Sequence, residues 1–274
     1  MTLQRSLLFV PGSRPERFDK ALAAGADAVI VDLEDAVAPA DKLSARESVH
    51  AWLRPERAVI VRINAADTPW FASDIALCAL PGVAAVMLPK AERTETIATL
   101  MAAGAQGVLP LIESAAGFAA LATLAAAPGV QRLVFGSIDF QLDLGMCDAL
   151  EDELLVFRSQ IVLASRLAGL AAPIDGVSTA IDDAELLHID VQRARRLGFG
   201  GKLCIHPKQV AGLHRGFAPS ADELAWARRV INVLAAAGGA AIAVDGKMVD
   251  KPVLLRAERL VAEAALVNRP ETRL

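Results

Sequence analysis

Eight times along the chain, a run rich in Val, Ile and Leu gives way to an alanine-rich stretch of helical period. The runs are Ser6–Pro11, Ala28–Asp35, Ala58–Asn64, Ala85–Lys90, Gly107–Ser114, Arg132–Asp139, Ala171–Val177 and Gly201–Pro207. Their hydrophobicity is nearly continuous, the pattern of strands buried on both faces, and the intervening helices supply the cover. Eight such units in 274 residues, with no Pro/Ser-rich linker between them, predict an α/β fold of the (β/α)8 TIM-barrel type. A doubly wound sheet is the alternative. Against it, no GxGxxG follows the first run and no GxxxxGK[ST] occurs anywhere.

Helix punctuation agrees with this division. Ser13, Pro15 and Glu16 read as the start of the first helix, and Gly25, Gly104 and Gly198 fall where C-terminal glycines belong. The string Gly198–Lys202 precedes a run and reads as a helix stop and turn. With the eighth helix near Ser220–Ala237, the barrel occupies 1–237. Residues 238–274 remain as an additional C-terminal helical lid or oligomerisation segment: Gly238-Gly239, an apolar Ala240–Val244, Asp245-Gly246 and a last helix Val253–Val267.

Composition excludes several classes. With 28 basic against 32 acidic side chains, no broad cationic surface exists for nucleic acid. A 54% hydrophobic chain is not disordered, yet no stretch reaches the roughly 20 apolar residues of a membrane helix. Leu7–Val10 meets Pro11-Gly12 too soon to serve as a signal-peptide core. Cys78, Cys147 and Cys204 are odd in number and scattered, which suits a cytoplasmic protein.

Chemistry in a barrel of this kind belongs at the C-terminal ends of the strands. The runs end in Ser13, Glu34 and Asp35, Arg62 and Asn64, Lys90, Glu113, Asp139, Asp175, and His206 with Lys208. Ionisable groups there are costly to bury unless they pair or bind a cation. Glu113 and Asp139, ending adjacent runs, would offer two hard oxygen ligands to Mg2+ or Mn2+; ordinary salt bridges to Arg62, Lys90 or a backbone amide are the alternative. Zinc is disfavoured, since there is no HExxH and no cysteine pair. Arg62 suits an anion or carbonyl oxygen, or else ties the barrel mouth together. His206 reads as an acid–base group or as a histidine held by backbone. Ser137 and Cys204 lack the setting of a nucleophile. Lys90, among carboxylates, reads as an ion-pair partner instead of a Schiff base.

Taken together, the strings Arg5–Gly12, Val31–Val37, Val61-Arg62-Ile63-Asn64, Leu88-Pro89-Lys90, Ile112-Glu113-Ser114, Phe135–Asp139 and Ile205–Gln209 resemble the HpcH/HpaI aldolase and citrate lyase superfamily. Within it, the chain resembles the citrate lyase beta-subunit-like branch. The resemblance runs from the first run to the Gly246–Asp250 string. It implies a Mg2+-dependent lyase acting on a 3-hydroxyacyl-CoA thioester of the malyl-CoA, citramalyl-CoA or citryl-CoA type, giving acetyl-CoA and a short 2-oxoacid. By the same resemblance, Glu113 and Asp139 match metal ligands, Arg62 the arginine that steadies a carbonyl or enolate oxygen, and Glu34 and Asp35 an acidic pair near metal-bound waters. Asp250 matches a lid aspartate acting from the next subunit, and Arg14, Arg17 and Lys20 match the region that binds CoA phosphates, or else form a solvated helical turn. A homo-oligomer built on a trimer is implied. Aldolases of free oxoacids carry Glu-His where this chain has Glu34-Asp35, which points toward thioesters. Beta subunits of citrate lyase carry Asn-Pro in place of His206-Pro207, which points to a free-standing enzyme. A carrier-dependent beta-type subunit, a metal-dependent thioesterase and a non-catalytic thioester-binding protein are the other readings.

Overall fold

The computed structural model describes residues 4–236, 241–244 and 246–267. They group into two compact units, Gln4–His214 and the stretch from Arg215 on. In the first unit eight parallel strands close into a barrel in sequence order: β1 (Ser6–Pro11), β2 (Ala28–Asp32), β3 (Val59–Arg62), β4 (Val83–Leu88), β5 (Val108–Ile112), β6 (Val134–Phe135), β7 (Ile174–Asp175) and β8 (Gly201–Cys204). Each of the eight expected runs coincides with one strand, β4 alone beginning before its run, at Val83. Apart from β1, the strands stop earlier than the runs because the residues at the run ends turn into loops and helices.

Inside the barrel, Leu7, Ile30, Ile60, Met87, Leu109, Leu111, Val134, Ile174 and Leu203 form one apolar cluster. They alternate with residues such as Leu8, Val29, Val61, Val86 and Phe135, equally buried under the helices. Burial on both faces is why the runs lack polar alternation. Gly198 ends helix Ala184–Leu197 in the left-handed region at φ 102°, the helix stop expected of it. The first helix departs from expectation. A 3-10 turn at Pro15–Arg17 leads into Phe18–Leu22, and no side chain, Ser13 included, caps it.

After β8 a short turn at Pro207–Gln209 leads directly into helix Val210–Phe217. The second unit holds helices Ala221–Ala236 and Lys251–Val267, with the hairpin of β9 (Ile242–Val244) and β10 (Lys247–Val249) between them. Its own core joins Ala227, Val230 and Leu234 to Val249, Ala257 and Leu260. Gly238-Gly239, Ala240 and Asp245 lie outside the described residues. No helix among the described residues is long and apolar enough to cross a membrane.

Asp175 does not join the other strand-end carboxylates. Its neighbour Ile174 faces the interior, so Asp175 turns outward, where it accepts from Arg158 Nε at 2.9 Å and lies 3.6 Å from Lys202 Nζ. Burial alone would raise its pKa, but Lys202 and Arg158 outweigh that and hold it below the ordinary carboxylate range. The stability it contributes is therefore complete above pH about 4 and is lost as pH falls through the lowered pKa. Asp175→Asn should cost about 3 kcal/mol in urea unfolding at neutral pH, by leaving Lys202 without its countercharge and Arg158 with Glu151 alone, and should flatten the acid side of the stability profile.

Candidate active site

The period of two that sends Ile30 and Ile60 inward carries on to Asp32 and Arg62, register partners at the C-terminal ends of β2 and β3. Glu113 continues the inward face of Leu109 and Leu111 one residue past β5. A charged layer thus caps the apolar interior. Arg62 Nε and Nη2 donate to Asp32 Oδ1 and Oδ2, both at 2.7 Å, and its guanidinium carbon stacks 4.8 Å from the Phe9 ring centre. Asp32 also accepts from the N–H groups of Glu34 and Ala36, which shapes the turn after β2. Asp32 was not among the residues picked from sequence. Its signal is its parity with Ile30 and its place beside Arg62.

The remaining Arg62 nitrogen, Nη1, lies 2.7 Å from Glu34 Oε2 and 3.8 Å from Asp35 Oδ2. That Glu34 oxygen is buried and has no aligned hydrogen bond, so it remains an acceptor in want of a donor. Burial, reinforced by Asp35 and Asp32, pushes the Glu34 carboxyl up to about 7 despite Arg62. Lys42 underpins the turn. Its Nζ donates to Leu33 O, Glu34 O and Asn64 Oδ1 at 2.8, 2.8 and 2.6 Å. Asn64, a candidate from its position, is a brace: its amide donates to Asp74, which also accepts from Arg46. Lys42 too escaped the sequence reading, because a lysine opening an amphipathic helix looks solvated.

Glu113 Oε1 accepts the Lys90 N–H at 2.7 Å. A Cβ at Gly136 would stand 2.5 Å from Oε2, so the glycine makes room for the carboxylate. Burial, then Glu34 and Asp139, push the Glu113 carboxyl up to about 8. Asp139 is raised as well, by burial and then Asp35. It does not end a strand, however: Gly136 breaks from β6 and Asp139 sits in the first turn of helix Ser137–Asp143. Arg62 stays charged because Asp32, Glu34 and Glu113 overcome its burial. These carboxylates outnumber the cations near them, and protons are retained where countercharge is short.

This donor set fits a hard divalent cation. Among the described residues no three His, Cys, Asp or Glu side chains converge to hold a metal by themselves. A cation here would rest on two carboxylates and on water or substrate oxygens, as Mg2+ does.

The other candidates lie elsewhere. Arg14, Arg17 and Lys20 are exposed beside β1, with Arg14 and Arg17 each 3.8 Å from Glu16. His206 Nδ1 accepts from Lys208 N and caps the turn after β8, a task an asparagine oxygen performs equally. Lys208 pairs with Asp182. Burial pushes the Cys204 thiol up to about 12, which removes it as a nucleophile. Asp250 belongs to the second unit, where Oδ1 accepts from Val253 N at the start of the last helix.

The family model described as HpcH/HpaI aldolase/citrate lyase matches residues 5–207. The chain belongs to that family. It is 37% identical to a citrate lyase subunit beta-like protein of Deinococcus radiodurans, over 96% of this chain and 98% of that one. It is 33% identical to a (3S)-malyl-CoA thioesterase of Cereibacter sphaeroides, over 96% and 95%. Protein CitE of Mycobacterium tuberculosis, in complex with magnesium, acetoacetate and coenzyme A, superposes with a TM-score of 0.86 at 39% identity, over 96% of this chain and 98% of that one. In this family member, Lys42→Met should strand Leu33 O and Asn64 Oδ1, while Glu34 O keeps the Val37 N–H, and lower the unfolding free energy by about 2 kcal/mol, measured by urea titration.

Proposed function

We propose that this protein is a Mg2+-dependent carbon–carbon lyase that cleaves, or forms, a 3-hydroxyacyl-CoA thioester of the malyl-CoA, citramalyl-CoA or citryl-CoA type. The products are acetyl-CoA and a short 2-oxoacid. The observation that carries the reading is Glu113 and Asp139 in electrostatic reach of Arg62 at the barrel mouth, in a chain 39% identical to a protein that binds magnesium, acetoacetate and coenzyme A.

Glu113 and Asp139 would hold the cation, which when bound supplies Lewis-acid polarisation of substrate oxygens. Arg62, fixed on two nitrogens by Asp32, keeps N–H groups for the oxygen on which negative charge grows as the carbon–carbon bond breaks. Glu34 and Asp35 offer acceptors to water or substrate hydroxyls. Asp250, delivered by the lid of a neighbouring copy in a trimer-based oligomer, takes the hydroxyl proton. Arg14, Arg17 and Lys20 receive the CoA phosphates on an exposed rim. The three free thiols, two of them buried, suit a reducing compartment, and we assign the enzyme to the cytoplasm.

A thioesterase is the second reading, favoured by the malyl-CoA thioesterase relative. Oxoacid release from the three thioesters, with and without Mg2+ and with free CoA followed in parallel, tells the two apart. Metal-dependent glyoxylate, pyruvate or oxaloacetate is the expected product; free CoA without oxoacid would replace the lyase by the thioesterase. Glu113→Ala and Asp139→Ala should each lower turnover about 100-fold or more, and full activity in both would sink the metal assignment. Asp250→Ala should lower turnover and leave metal affinity unchanged.

A further inference from the structure

Lys90 holds a backbone conformation that L side chains avoid. Its φ is 44°, and Asp148 is the one other non-glycine residue with positive φ among the described residues. This left-handed turn after β4 aims the Lys90 N–H at Glu113 Oε1, 2.7 Å away. The next two residues tie the same turn to the end of β5. Ala91 N donates to Leu111 O at 3.3 Å, and Glu92 Oε1 accepts from Ser114 Oγ at 2.6 Å. Gly117 closes the packing, because a Cβ there would lie 2.5 Å from Ala91 O.

A glycine at position 90 would adopt this backbone without steric conflict. The lysine side chain is exposed, and among the described residues no carboxylate lies within 4 Å of its ammonium. It nonetheless stands in the field of Glu34, Asp35, Glu113 and Asp139. A strained backbone that keeps a long cationic side chain at the mouth of a charged site is the mark of a residue retained for a ligand.

We propose that Lys90 serves the site twice: its left-handed backbone fixes Glu113 through the N–H, and its ammonium receives the carboxylate of the oxoacid. The first role makes it a positioning residue. The inference rests on Glu113 as a metal ligand.

The test uses the full chain, with Mn2+ uptake followed by electron paramagnetic resonance and oxaloacetate binding by calorimetry. Lys90→Gly should keep Mn2+ affinity within about twofold and weaken oxaloacetate about tenfold, with Lys90→Arg recovering most of that loss. Lys90→Val, whose branched Cβ opposes the left-handed turn, should weaken Mn2+ about tenfold as well. If thermal melting shows that this variant does not fold, Lys90→Ala asks the same question with a smaller side chain. Unchanged Mn2+ affinity in the folded Val or Ala variant overturns the backbone role. Unchanged oxaloacetate affinity in Lys90→Gly overturns the ammonium role. A wild-type protein that takes up no Mn2+ overturns the metal reading itself, and the oxaloacetate comparison still decides the ammonium.

Discussion

An arginine that ends a buried strand must find its countercharge within the barrel, and here Asp32, its register partner on the neighbouring strand, supplies it. Two parallel hydrogen bonds fix the guanidinium plane, and the Phe9 ring supports one face. The same carboxylate accepts two backbone N–H groups of the turn that carries Glu34, so one side chain sets both the cation and the loop facing it. Lys42 then holds that loop from the helix side through two of its carbonyls. On this side of the mouth Arg62 and the turn after β2 both rest on Asp32.

Charge is distributed unequally over the molecule. In the helix layer, Asp175 is matched by Arg158 and Lys202 and stays ionised. At the mouth, Glu34 and Glu113 are drawn toward neutrality, since burial and like charge together exceed what Arg62 offers. A balanced cluster of this kind belongs to stability. The unbalanced one is where the proposed cation would supply the missing countercharge.

The strands were legible because burial on both faces leaves an unmistakable composition, and the closed barrel follows from eight repeats. The ends of the strands were harder. Glu34, Arg62 and Glu113 could be picked out as charges closing apolar runs, but Asp175 met the same criterion and faces the other way; only the alternation with Ile174 separates it. Asp139 looked like a strand end because Phe135-Gly136-Ser137-Ile138 reads as a continuous apolar run, whereas Gly136 breaks it and a helix begins. Lys42 was invisible, since two of its three partners are backbone carbonyls that the sequence does not mark. His206 has the opposite lesson: a chemically versatile residue engaged in capping a turn.

Not all of the barrel wall is equally knit. β6 and β7 are two residues long and share a single register pair, Val134 with Ile174, where β1 and β2 share five. Below that pair a side chain takes over the work of the missing ladder, as Arg132 donates to Ala172 O and Gln4 O across the bottom of the strands. Its guanidinium, pulled down to about 10 by burial, has Asp27 as its opposing charge. The cylinder therefore has a seam, and the helix bearing Asp139 springs from one edge of it. Altered loop lengths along this sector disturb few ladder bonds, whereas the opposite wall, which carries Asp32 and Arg62, is held by three register pairs between β2 and β3.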